Sequence, residues 1–155
     1  MEAKKIIITG GATRIGSAIA KSLVSFETKI CIHFNKSKKS ALKLKKELEE
    51  LGAEAYLFKA DLNNLKQTET LIKKAYKTLK GLDCLINNAS IFENDNLENF
   101  SEKSFTKHMN INLKAPAILT QNFKRLIKNK EGCIINIDSG QRLAWQTPDI
   151  INTKE

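Results

Sequence analysis

Three short segments of this sequence carry side chains with chemistry to offer. They read TGGATRIG over Thr9–Gly16, HFNKSKK over His33–Lys39 and NNASIF over Asn87–Phe92. In the first, Gly10 permits a tight turn and Gly16 lets a following helix come close to what lies beneath it. A helix starting here would present free N–H groups and a partial positive charge, which suit a pyrophosphate. Arg14 sits at that helix start. A cation opposes the helix dipole there unless an anion is bound beside it. The competing reading is a solvated surface arginine.

The second segment follows an apolar run. A ribose 2′-hydroxyl is usually held by an acidic residue at such a strand end, and none is present. Asn35, Lys36 and Ser37 stand there instead, followed by Lys38 and Lys39, which also oppose a helix dipole. A 2′-phosphate would account for both facts. Charge-assisted hydrogen bonds contribute about 1.5–3 kcal/mol each, so two of them favour NADPH over NADH by roughly a hundredfold. The competing reading is the chain's general excess of lysine. Further along, Asp61 in KADLNN can bond an adenine amino group. Asn87 and Asn88 are costly to bury unless bonded. Asn112 lies in the apolar stretch NINLKAPAIL, and Ser139 closes the run IINIDS.

The elements that position these residues follow from hydrophobic period. Short apolar runs (KKIIITG, TKICIHF, EAYLFKADL, LDCLINNAS, CIINID) alternate with helical stripes separated by glycines. The fourth stripe, Ser101 to Gly132, reads as one long helix, with Ser101 as N-cap, Glu102 favouring the dipole and a kink at Pro116. Five strands alternating with four helices predict an α/β fold: a Rossmann-type doubly wound parallel sheet in the order 3-2-1-4-5, helices on both faces. Ligands then bind at the carboxyl ends of the strands, near the switch point.

The bulk numbers fit one domain. The chain has 155 residues, 41% hydrophobic and 28% charged. It contains no apolar run long enough to cross a bilayer, and its start is too short in apolar residues for a signal peptide, which together point to the cytoplasm. Cys31, Cys84 and Cys133 are far apart, each inside an apolar run, and read as reduced core cysteines. With His33 and His108 they make no metal set. The net charge is +9 from 26 Lys and Arg against 17 Asp and Glu. Spread over most helices with little aromatic interleaving, it argues for a composition bias rather than a nucleic-acid surface.

Taken together, TGGATRIG, ADL, NNAS, NINL and IINIDS resemble a short-chain dehydrogenase/reductase over nearly the whole chain. The pteridine reductase branch is the most similar. Arg14 replaces the middle glycine of the turn, HFNKS follows the second strand, and NNAS with Phe92 two residues on replaces the common Asn-Asn-Ala-Gly. The resemblance implies an NADPH-linked oxidoreductase acting on a small carbonyl or pterin-like substrate. It places Gly10, Arg14, Ile15 and Gly16 along the pyrophosphate, and Asn35, Lys36 and Ser37 at the 2′-phosphate. Asp61 and Leu62 flank the adenine. Asn88, Ala89 and Ser90 line the nicotinamide ribose, and Phe92 stacks on a pterin ring beside Ser90. Asn112 and Ser139 match the family's active-site Asn and Ser. Phe92 could equally be a core aromatic.

The family's proton-donating Tyr and its Lys four residues on depart from this sequence. The Tyr falls near Asn152, and the Lys falls just past the last residue; Lys154 has the wrong spacing. The expectation is an NADP-binding domain over 1–138 and an irregular tail over 139–155, truncated before the catalytic helix, with Trp145 tucked over a bare face or exposed. Negligible turnover by this chain alone follows, as does a sticky, marginal or partner-dependent fold. A homo-oligomer is compatible with the resemblance. The rival readings are a non-catalytic dinucleotide-binding relic of an interrupted gene and a basic polyanion-binding protein.

Overall fold

The computed structural model describes residues 4–25, 27–93, 98–128 and 130–137. Five strands run β1 Lys5–Ile8, β2 Lys29–Phe34, β3 Glu54–Lys59, β4 Cys84–Asn87 and β5 Cys133–Asn136. Between them lie α1 Arg14–Ser22, α2 Lys38–Glu50, α3 Leu65–Leu79, α4 Glu102–Met109 and α5 Ala115–Ile127. The sheet order is β3-β2-β1-β4-β5, and every pairing is parallel. The expected doubly wound sheet is therefore present. Its switch point lies between β1 and β4.

The period of two along each strand divides the core into two layers. Ile7, Cys31 and Leu85 point to one face, where Leu71, Ile72, Ala75 and Leu79 of α3 meet Leu119 and Phe123 of α5. Ile6, Ile8, Ile30, Ile32 and Ile86 point to the other, covered by Ala20 of α1 and by Ala41, Leu44 and Leu48 of α2. Across β1, β2 and β4 both faces are filled, so these strands read as unbroken apolar runs rather than as alternation.

Helix ends follow local chemistry. Asn64 caps α3, its side chain accepting the Gln67 N–H at 3.0 Å. Ser101 caps α4 as expected, accepting the Ser104 N–H at 3.2 Å. The single long helix is not what forms. A π turn, Asn110–Lys114, separates α4 from α5, and Pro116 sits at the start of α5. Proline has no N–H to return to the carbonyl of Asn112, four residues back, and its ring crowds that carbonyl. The wider turn, in which the Ala115 N–H reaches the Asn110 carbonyl, accommodates both. The expected kink at Pro116 is thus a change of helical pitch just ahead of it.

The cysteines also divide. All three are free thiols, but only Cys31 is a core residue; Cys84 is half-buried and Cys133 is exposed. Burial pushes the Cys31 thiol up to about 12. Strand β5 is exposed along its length, with Ile134 at 37% and Ile135 at 40%, and Leu113 on the π turn is at 60%. Among the described residues no helix is long and apolar enough to cross a membrane. Ser139, Trp145 and the tail over 139–155 lie outside the described residues.

Candidate functional site

The carboxyl ends of β1 and β4 are clasped together by two side chains. Thr9, almost fully buried, accepts the backbone N–H groups of Asn88 and Ala89 at its Oγ1, both at 3.0 Å. The Asn88 Nδ2 donates to the carbonyls of Thr9 and Gly10 at 3.0 and 3.1 Å. Asn87 donates to Asn136 Oδ1 at 2.9 Å and to Thr120 Oγ1 at 3.4 Å. The Nδ2 of each asparagine therefore finds acceptors, while Asn87 Oδ1 is buried without a donor among the described residues. The Asn88 amide is thus engaged on the turn, and Ser90 beyond it is exposed.

The turn after β1 is built around close approach. Gly10 has φ +60, and a Cβ there would lie 2.9 Å from Ala89 Cα. A Cβ on Gly16 would lie 2.4 Å from the Gly10 carbonyl oxygen and 2.6 Å from Asn88 Nδ2. Gly16 thus lets α1 rest on the turn, as expected. The Gly10 N–H is bonded to His33 Nδ1 at 3.1 Å, and the Gly11 N–H to the His33 carbonyl at 3.0 Å. Gly10 therefore supplies the shape of the turn and no donor to a pyrophosphate. The first-turn N–H groups of α1 lack intrahelical acceptors. The Thr13 side chain makes no capping bond, and that turn contains no acidic residue. Arg14 opens the helix with φ +50, a left-handed conformation that costs a non-glycine residue about 1–2 kcal/mol. Ile15 beside it is 59% exposed.

At the end of β2 the chain exposes Lys36, Ser37, Lys38 and Lys39. Ser37 occupies the N-cap of α2 without a side-chain capping bond, and the first turn again lacks an acidic residue. Asn35 turns away from this group and donates to Asp61 Oδ1 at 3.4 Å. The basic cluster is then Lys36 and Ser37 with the α2 N-terminus, and Asn35 belongs to the neighbouring Asp61. That carboxylate also accepts the Asn63 N–H at 3.0 Å. The Leu62 side chain is 6% exposed and packs in the core with Leu71 and Leu82, which leaves its backbone as the part that can face an adenine.

Beyond β4 the loop is pinned to the helical layer. The Asn112 carboxamide accepts the Ile91 N–H and donates to the Ile91 carbonyl, both at 2.9 Å. His108 Nε2 accepts the Glu93 N–H at 3.1 Å, which puts its proton on Nδ1, 2.9 Å from the Ser104 carbonyl. Lys107 pairs with Glu93 and holds its carboxyl below the usual range. Between these ties Phe92 projects 63% exposed, so it is not a core aromatic. Asn112, expected among the catalytic residues, has its amide committed to the loop. Its backbone lies in the π turn, a local geometry frequent at functional sites. Ser139 lies outside the described residues. His33 and Thr9 are the site residues that sequence reasoning missed. The available signal was a histidine and a threonine at the ends of otherwise apolar strands.

These features match known proteins. A family model described as short chain dehydrogenase matches residues 4–145. A short-chain dehydrogenase/reductase of Pestalotiopsis microspora is 30% identical over 149 residues, 96% of this chain and 56% of that protein. Among solved structures, a short chain dehydrogenase of Burkholderia cenocepacia in complex with NADP superimposes with a TM-score of 0.82 at 28% identity, covering 87% of this chain and 55% of that one. The FolM alternative dihydrofolate reductase 1 of Brucella canis, complexed with NADP, gives a TM-score of 0.76 at 29% identity, covering 84% and 53%. The chain spans about half the length of the relatives it matches.

Proposed function

From the premise that this chain belongs to the short-chain dehydrogenase family, we propose that residues 1–138 are the dinucleotide-binding part of an NADPH-dependent oxidoreductase. One observation carries the choice of cofactor. The strand end that would hold a ribose 2′-hydroxyl through a carboxylate presents Lys36, Ser37 and an uncapped helix N-terminus instead. The NADP-bound state of the Burkholderia and Brucella structures supports the reading.

The residues divide the work along an extended dinucleotide. The α1 N-terminus and Arg14 would face the pyrophosphate. Lys36 and Ser37 would take the 2′-phosphate, and Asp61, steadied by Asn35, the adenine amino group. Ala89 and Ser90 would border the nicotinamide ribose, and the loop fixed by Asn112 and His108 would set the floor of the substrate site. NADPH, when bound, supplies a hydride. Phe92, exposed beside Ser90, offers a flat apolar face on which a planar substrate can stack. The substrate class we assign is therefore a small carbonyl or pterin-like compound.

Fluorescence titration of the chain with NADPH and NADH tests this. NADPH binds and NADH binds far more weakly. Replacing Lys36 and Ser37 together by Ala weakens NADPH by about ten- to a hundredfold and leaves NADH unchanged. Equal affinity for the two nucleotides would remove the 2′-phosphate site from the proposal. Binding of a dihydropterin to the NADPH-loaded chain, weakened in Phe92→Ala, tests the substrate class.

A further inference from the structure

Beneath the glycine turn lies a buried ring that the proposed chemistry does not use. His33, on β2, is 3% exposed. A backbone N–H is only a donor, so Nδ1, 3.1 Å from the Gly10 nitrogen, must accept. A neutral imidazole then carries its proton on Nε2, which lies 3.1 Å from the Ala60 carbonyl oxygen, only an acceptor. Both neighbours select the same tautomer. With its own carbonyl taking the Gly11 N–H at 3.0 Å, this one residue of β2 holds both glycines of the β1 turn. It also reaches over to the residue that precedes Asp61.

We propose that His33 is a positioning residue for the adenosine half of the dinucleotide: a neutral strut that fixes the glycine turn, and with it the α1 N-terminus, relative to Asp61. The proposal rests on the NADPH reading above and extends it. A pyrophosphate at one end and an adenine at the other are held by different strands, β1 and β3. These strands are not neighbours, because β2 lies between them. The ring bridges that gap at the carboxyl ends of the strands, between the Gly10 N–H and the Ala60 carbonyl. The backbone pairings of β2 with β1 and β3 already hold the strands together, so a purely structural reason for a polar ring here is weak.

Protonation would set a second N–H against the Gly10 N–H and break the strut. Burial holds the ring's pKa below its ordinary 6.5, against the opposing pull of the Ala60 bond and the Asp61 charge. Asp61 is the charged group acting on it from the β3 side; from β1 it meets the backbone of Gly10, and its neighbours on β2 are Ile32 and Phe34. A group with a lowered folded pKa stabilises the fold above its unfolded value, here 6.5, and that contribution is lost as pH falls.

The test compares NADPH affinity and Tm for the wild type, His33→Leu and His33→Asn. In the Leu variant the Gly10 N–H loses its partner and NADPH binds about tenfold more weakly. The Asn variant keeps an acceptor for Gly10 through Oδ1 and restores most of the affinity. A Leu variant with lowered Tm but wild-type affinity would show a structural role only and overturn the proposal. So would a folded His33→Asn that binds NADPH tenfold or more below wild type, which decides the matter even if the Leu variant fails to fold. Long-range 1H–15N spectra of the ligand-free chain test the ring independently: Nε2–H is expected, and Nδ1–H overturns it. Absence of NADPH binding by the wild type with Nε2–H intact would instead strike the cofactor reading.

Discussion

Replacing Arg14 by Gly should move two measurements in opposite directions. Arg14 has φ +50. Relieving a left-handed non-glycine residue returns about 1–2 kcal/mol to the folded state. Against this, glycine widens the unfolded ensemble and costs about 0.4–1 kcal/mol. The net is a gain of roughly 0–1.5 kcal/mol, or a rise in Tm of a few degrees at this chain length. The guanidinium, meanwhile, is lost from the mouth of α1. A charge-assisted bond to a phosphate is worth about 1.5–3 kcal/mol, and exposure of Arg14 puts the effect at the lower end, near a tenfold loss of NADPH affinity. Arg14→Ala separates the two contributions, since it keeps the strain and loses the charge: its Tm stays near wild type while its affinity falls equally. The assay is fluorescence titration at low and at moderate salt, with thermal melts alongside. The gap between wild type and Gly variant should narrow as salt rises. If Arg14→Gly binds NADPH as tightly as the wild type at low salt, the arginine faces no phosphate. If it also melts lower, the strain argument fails too.

Other outcomes follow from the same geometry. Gly16→Ala places a methyl within 2.4 Å of the Gly10 carbonyl and 2.6 Å of Asn88 Nδ2; it should abolish nucleotide binding and lower Tm more than any single cap removal, as melts and titration would show. Asn112→Ala unties the Ile91 backbone at both of its groups, so hydrogen exchange at residues 91–93 should accelerate while the core strands stay protected. Brief alkylation of the native chain should label Cys133 first and spare Cys31, whose thiol is buried and pushed up to about 12; peptide mass mapping decides it. Leu119→Ala, at a fully buried position between α5 and the sheet, should cost about 2–5 kcal/mol in denaturant melts.

Much of the fold was legible because both faces of the sheet are covered across β1, β2 and β4. That condition turns each strand into an unbroken apolar run and each helix into a stripe, and the right-handed crossover rule does the rest. Ser101 and Gly16 were readable for local reasons: a cap and a close approach each demand a particular residue type. The inward direction of the Leu62 side chain was not legible, because a motif position does not say which way a side chain points; it packs with Leu71 of α3 in the core. The π turn was unreadable since its cause, Pro116, is the same residue that signals an ordinary kink. Cys133 sits in an apolar run, but on an exposed strand, and period alone cannot tell the two apart. His33 was passed over because it was weighed only as a metal ligand, and its partners are two backbone groups far away in sequence.

The clasp between Thr9 and Asn88 also sets an order of events during synthesis. The glycine turn is made almost first, yet its two carbonyl acceptors are filled by a residue 78 and 79 positions later. At about 5–20 residues per second a ribosome needs several seconds to deliver it. Through that interval β1 has β2 on one side and an open edge on the other. The nucleotide pocket is therefore closed late, by its own distant end, and a nascent chain halted before residue 88 carries the complete phosphate motif without the groups that hold it in shape.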